Sequence, residues 1–414
     1  MAATFNIPFG IAVDASGTAY VADYTNHRVR QIVLSTGAVT TLAGSGTATS
    51  TNGVGTAATF SSPMYVALDG LGNLYVTDSG THRIRKVVLA TRAVTFVAGT
   101  GAVGAVNGVG TAASFNNLRG ISCDANGNAY VAEATNHLIR KIVLSSATVT
   151  TLAGTGSASA ANGVGSSAGF NQPLNVAVDS SGTLLFVAES TNKIRQIVIA
   201  TQTVTTLAGS GTAGAANGVG VAAQFNNPRG LSVDSSGNLF VGDSSNNIVR
   251  KIVISTKAVT TLAGSGVAAW VDGFGTNAAF SNVRGLVLDA RGNMLVADDN
   301  HRVRVMQPTV PCPAGVYCAP GVEAVPCTPG YFCALGSDRV ACAAGYYCPS
   351  GSTSATQVAC PAGAFHCVAG ASAPVSIACT AGYVFPALDT LSLHCVFQVL
   401  WYFVFLLTAS TCST

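Results

Sequence analysis

Charge is scarce in this chain. Only 9% of its 414 residues are Asp, Glu, Lys or Arg, and 20 basic against 17 acidic side chains leave a net charge of +3. Positions 1–308 hold 19 basic and 14 acidic residues, spread too evenly for the concentrated positive face that nucleic acid demands, so nucleic acid is not an expected partner. Cysteine is nearly absent from the first three quarters, where Cys123 stands alone. The opening Met1-Ala-Ala-Thr-Phe-Asn-Ile-Pro-Phe-Gly10 has no basic cluster and no apolar run, so it does not read as a secretory leader. No Asn-x-Ser/Thr acceptor occurs, which excludes N-glycosylation. What is abundant is glycine, with 46 residues, and apolar side chains, at 49%. That composition suits strands and turns around a sizeable core and excludes disorder.

The chain is periodic. Phe5, Phe60, Phe115, Phe170, Phe225 and Phe280 recur every 55 residues, and so do Asp14, Asp69, Asp124, Asp179, Asp234 and Asp289. A fixed period of this length means one supersecondary unit copied and stacked. Within the first copy, Gly10–Asp14, Ala19–Asp23, Arg28–Leu34 and Ala38–Ala43 read as strands. Asp14-Ala-Ser-Gly17 and Tyr24-Thr-Asn-His27 read as the turns between them. Four antiparallel strands followed by a Gly/Ala-rich return loop describe a propeller blade.

The segments Val21-Ala-Asp-Tyr-Thr-Asn-His-Arg-Val-Arg-Gln-Ile-Val33, Val76–Val88 and Val131–Val143 resemble NHL repeats. The resemblance spans about residues 5–307 and implies an all-β, six-bladed β-propeller. The excess over the usual unit length sits in the loops, such as Gly209–Gly220. The sixth copy offers Gly285–Asp289, Met294–Asp298 and Arg302–Met306 but no fourth strand. Met1 starts too late to donate one, so the expectation is either an open edge, which is an association hazard, or an upstream piece. Ala2-Ala-Thr-Phe5 matches Ala57-Ala-Thr-Phe60, which places the start inside a repeat and favours an upstream piece carrying a leader.

Residues shared by all copies are expected to hold the blades together. His27, His82, His137 and His301 occupy equivalent turns on different blades and cannot converge on one metal. An acid closes each second strand (Asp23, Asp78, Glu133, Glu189, Asp243, Asp298) and an arginine faces it from the third (Arg30, Arg85, Arg140, Arg195, Arg250, Arg304). Six such pairs read as cross-strand ion pairs of modest value rather than catalytic groups. The turns at Asp14 and its equivalents lack the alternating oxygen ligands of a calcium loop.

Catalysis finds little support. The innermost strand should line the channel, and its six versions (Ile11-Ala-Val, Val66-Ala-Leu, Ile121-Ser-Cys, Val176-Ala-Val, Leu231-Ser-Val, Leu286-Val-Leu) hold no ionisable group except Cys123. The amidating lyase related to the resembled family uses channel histidines and zinc, and nothing here matches them. No catalytic residue, metal or cofactor is therefore assigned; the alternative is a hydrolase or lyase with a metal at the channel mouth.

Positions that differ between copies are where function can sit. Four residues after each landmark phenylalanine stand Phe9, Met64, Arg119, Leu174, Arg229 and Arg284, placed by their spacing at the entry to the first strand and so at the channel mouth. Three arginines among bulky apolar side chains suit recognition of a protein or other acidic ligand, although a loop position also tolerates any residue. Trp270, in a loop where other copies carry small residues, is either a further contact or a plug beside the sixth blade.

After residue 308 the composition changes. Cys312, Cys327 and Cys342 are spaced by 15, as are Cys318, Cys333 and Cys348, with Cys360 and Cys367 following. The pattern Cys-x-x-Gly-[Val/Tyr]-[Tyr/Phe]-Cys is similar to ephrin-receptor-like cysteine-rich repeats over about 311–370. Such small units need disulfides and an oxidising compartment, and zinc is the competing reading. The expected organisation is therefore a propeller at 1–308, a cysteine-rich stalk at 309–392 and an apolar tail at 393–414. Val396–Leu407 is apolar enough for membrane association but short of a full span. The functional expectation is a non-enzymatic recognition or scaffold protein, secreted or at the cell surface.

Overall fold

A computed structural model describes residues 4–306 except 274. Beyond them it describes only 316–317, 325–327, 329, 331–332, 340–343, 346–354, 356–359, 365–366, 372–373, 375–376, 383–384 and 396–397. The chain divides into two compact units, Met1–Pro308 and Thr309–Thr414.

The first unit is a six-bladed β-propeller. Blade 1 is the antiparallel sheet Pro8–Val13, Thr18–Asp23, Arg28–Val33 and Ala38–Ala43. Blades 2 to 5 have one strand more than the sequence suggests. The loop leaving blade 1 lays Gly53–Val54 against the outermost strand Ala93–Ala98 of blade 2, and the same donation recurs through blade 5. The long period is thus spent on an outer strand that ties each blade to the one before it. Blade 6 is the three-stranded sheet Gly285–Leu288, Met294–Asp298, Arg302–Met306, without a fourth strand.

The blade is legible in its burial. The second strand, Thr18–Asp23, is buried along nearly its whole length, as a central strand packed on both faces must be, whereas Arg28–Val33 alternates. The innermost strands pack against their neighbours all the way round, including Pro8–Val13 against Gly285–Leu288, so the ring is closed despite the short sixth blade.

Closure is reinforced by the histidines. His27 Nδ1 accepts the Ser62 N–H at 3.0 Å, His82 Nδ1 that of Asn117 at 3.3 Å, and His137 Nδ1 that of Gln172 at 3.0 Å. Blades 4 and 5 substitute Asn192 Oδ1 and Asn247 Oδ1 in the same role. His301 Nδ1 accepts the Ile7 N–H at 3.0 Å and so joins the last blade to the first. Each bond staples one blade to the next.

The acid–arginine pairs are not the modest surface bridges that strand pairing suggests. In blades 2 to 5 both partners are fully buried. Arg140 Nη1 bonds Glu133 Oε2 at 2.8 Å and the Ser114 carbonyl at 3.3 Å, while its Nη2 reaches the Val106 carbonyl and Asn107 Oδ1. The guanidinium lies 5.3 Å from the centre of the Phe115 ring. The repeated phenylalanine is therefore the platform on which a buried arginine captures the incoming loop. The turn aspartates are hairpin devices: Asp14 Oδ1 accepts the N–H of Ser16 and Thr18, and Oδ2 accepts the Tyr20 hydroxyl.

In the second unit the described strands form short two-residue pairs, such as Tyr331–Phe332 with Val340–Ala341. Cys342 and Cys348 form a disulfide with Cα atoms 5.9 Å apart, and Cys327 is disulfide-bonded as well. Cys312, Cys318, Cys333, Cys360 and Cys367 lie outside the described residues, as does Val396–Leu407 apart from its first two positions. Among the described residues no helix is long and apolar enough to cross a membrane.

Candidate functional site

The inner strands carry a register shift near their start, between Pro8 and Ile11, Pro63 and Val66, Leu118 and Ile121, and Pro228 and Leu231. A bulge re-aims the side chain at its tip. The residues at these bulges are Phe9, Met64, Arg119 and Arg229, with Arg284 one residue before the sixth inner strand. They stand at the entry to the inner strands, as their spacing suggests, and all but Arg284 lie within those strands. Phe9 and Met64 are 5% and 4% exposed.

These five side chains meet. Together with Ile7, Tyr24, Ser62, Ser79, Gly80 and Asn117 they line a cavity of about 440 Å³ at the channel mouth. Leu174 is buried outside that lining. Trp270 is 55% exposed and lies elsewhere, stacked 3.7 Å from the Arg302 guanidinium of blade 6. Its loop is held by Arg304, whose Nη2 bonds the Val271 carbonyl at 2.6 Å and Asp272 Oδ1 at 2.7 Å, so this loop braces the three-stranded blade.

The three arginines of the mouth differ in their partners. Arg284 is clamped bidentately by Asp299, Nε to Oδ1 at 2.6 Å and Nη2 to Oδ2 at 2.5 Å, and lies over the Phe9 ring at 5.1 Å. Among the described residues Arg119 has only the Met64 sulfur, at 3.4 Å. Arg229 makes no side-chain hydrogen bond among the described residues. The Nε–H groups of Arg119 and Arg229 are buried without a partner. Burial pulls both guanidinium pKa values down, and for Arg229 the nearby Arg284 and Arg119 charges add to the effect. Arginine stays protonated through such shifts, so two half-buried positive charges face the cavity with one carboxylate already engaged elsewhere.

Tyr65 ties blade 2 to the backbone of Arg284. It is buried, and its hydroxyl donates to the Arg284 carbonyl at 2.9 Å. Burial pushes its pKa up against the opposing pull of Arg229, Arg119 and Arg284, which keeps it a neutral donor. Around the ring the position of Tyr65 is occupied by Gly10, Gly120, Asn175, Gly230 and Gly285. A Cβ on Gly10 would run into Tyr65, and one on Gly120 into Asn175. The glycines make room for the two larger side chains at the channel centre.

Spacing missed Tyr65, Tyr24 and Asp299. The signal was present: the residue after each second-strand acid reads Tyr24, Ser79, Ala134, Ser190, Ser244 and Asp299, a position as variable as that of the arginines. Ser79 and Ser244 spend their hydroxyls on the Leu118 and Val283 carbonyls of the next blade. Tyr24 lines the mouth with its ring 5.2 Å from that of Phe9, and Asp299 stands behind it on the Arg284 guanidinium. Among the described residues no three His, Cys, Asp or Glu side chains converge as metal ligands.

The NHL repeat model matches residues 5–32 and 225–252. Those two stretches, in blades 1 and 5, are NHL repeats. The chain is 31% identical over 265 residues to the Arabidopsis thaliana protein Suppressor of Quenching 1, chloroplastic, an alignment covering 60% of this chain and 25% of that protein. It is 29% identical over 337 residues to NHL repeat-containing protein 2 of Bos taurus, covering 72% of this chain and 46% of that one. The chain thus spans less than half the length of these relatives. Among solved structures, a structural genomics protein of unknown function from Bacteroides thetaiotaomicron matches with a TM-score of 0.57 at 19% identity, over 74% of this chain and 70% of that one. At that identity the likeness concerns the fold alone. Both matched stretches contain the recurring Phe, Asp and Arg positions, Phe5, Asp14 and Arg30 in one and Phe225, Asp234 and Arg250 in the other.

Proposed function

We propose that the NHL propeller is a non-enzymatic recognition module that binds an acidic ligand at its channel mouth. The observation that carries this reading is the contrast among arginines. Arg85, Arg140, Arg195 and Arg250 share an unpartnered Nε–H with the mouth arginines, but their Nη groups each bond a carboxylate and two backbone carbonyls. Arg119 and Arg229 are held at the cavity with almost no such partners. Guanidinium groups that are partly desolvated and unpaired bind a carboxylate or phosphate strongly, because most of the desolvation cost has been met in folding.

The disulfide Cys342–Cys348 supports a secreted or cell-surface protein, with the second unit serving as a stalk of ephrin-receptor-like cysteine-rich repeats. The test of recognition is titration of the full chain with a hexaglutamate peptide. Binding should weaken with salt and disappear in Arg119→Glu/Arg229→Glu protein of unchanged unfolding temperature. Equal binding by both proteins would overturn the reading.

A further inference from the structure

The mouth is lopsided, and its two halves differ in chemistry. Blades 1 and 2 contribute Phe9, Tyr24 and Met64, an apolar wall with the Phe9 and Tyr24 rings in contact. Blades 3 and 5 contribute Arg119 and Arg229, and blade 6 contributes Arg284, already neutralised by Asp299. A cavity of about 440 Å³ lies within the range of small-molecule sites. A flat acidic protein surface would leave the Phe9 and Met64 wall unused.

We propose, building on the recognition reading above, that the site takes one oxyanion group carried on a compact apolar or aromatic body. The carboxylate or phosphate bridges Arg119 and Arg229, and the body packs on Phe9, Met64 and Tyr24. Asp299 sets the charge limit: by occupying Arg284 it leaves two cations and fits the pocket to a single anionic head. The same chemistry is offered by a free organic acid or by the C-terminal carboxylate of a peptide ending in an aromatic residue.

The test uses the full chain and calorimetric titration with four probes: 3-phenylpropionate, its neutral analogue 3-phenylpropanol, acetate, and N-acetyl-Gly-Phe with its carboxylate free. The expected result is binding of phenylpropionate at least about tenfold tighter than the alcohol or acetate, since each charged hydrogen bond and each buried ring contributes on that scale. Arg119→Gln/Arg229→Gln should lose this preference at unchanged unfolding temperature. Asp299→Asn should instead strengthen binding several-fold by freeing Arg284, a gain that a misfolded variant does not produce. If the peptide binds much more tightly than phenylpropionate, the source is a chain terminus; the reverse identifies a free acid. Alcohol or acetate binding as well as phenylpropionate, or an Asp299→Asn variant no tighter than wild type, overturns the inference. Hexaglutamate binding that depends on the arginines while phenylpropionate fails overturns it and leaves acidic recognition standing; failure of both removes both.

Discussion

The Arg140 guanidinium sits 5.3 Å above the Phe115 ring while bonding Glu133 at 2.8 Å, with neither charged side chain exposed. Within this one contact the blade's third strand, its second strand and the incoming loop are tied together. Removing one partner of a buried ion pair strands the other charge. Arg140→Met is therefore expected to destabilise the propeller by about 3–5 kcal/mol. Arg140→Met/Glu133→Leu should recover part of that loss, because no charge is left buried alone. Urea unfolding of the three proteins checks the order; a single variant as stable as wild type would show that the pair is energetically idle.

His82 accepts a backbone N–H from the next blade through Nδ1. Burial lowers its pKa below the ordinary 6.5. An unfolded chain then binds a proton more readily than the folded one as pH falls below 6.5, so stability is full above that value and declines through the lower folded pKa. Protonated Nδ1 also cannot accept the bond. His82→Asn copies what blades 4 and 5 do with Asn192 and Asn247 and should keep the staple without the proton. Thermal unfolding between about pH 7 and pH 5 should show a smaller loss in the variant than in wild type.

Gly285 opens the sixth blade directly beside the first. A Cβ there would run into the Phe9 carbonyl, which is backbone and cannot swing aside. Gly285→Ala should lower stability by more than about 1–3 kcal/mol and loosen the junction between blades 6 and 1. Hydrogen exchange of the Ile7 amide, bonded to His301, reports that junction directly. Gly17→Ala provides a contrast: no atom lies near its added Cβ, so any cost comes from the left-handed backbone alone.

Cys123 is the free thiol of the propeller, and burial pushes its pKa up. Thiolate is the reactive form. Labelling of Cys123 by a maleimide should be slow in native protein and rapid in urea. A reductant should leave the propeller's unfolding temperature unchanged, since the described disulfides lie in the second unit. Fast native labelling would show that blade 3 opens locally.

The sequence by itself determined the number of blades, their boundaries and the short sixth blade. Strand alternation, turn chemistry and an unbroken 55-residue period are local or repetitive signals, and each copy confirms the others. It also marked the residues four after each phenylalanine as the place where copies diverge. Only the tertiary structure decided what those residues face. Arg119, Arg229 and Arg284 are separated by 110 and 55 positions in the chain, and ring closure brings them to one cavity. Folding within the blades placed Asp299 on Arg284 and buried the repeated acid–arginine pairs, and stacking of the blades set the loop strands against the next blade. Periodicity specifies a unit, but the burial of a charge and the convergence of five different side chains are properties of the assembled ring, to which no single repeat has access.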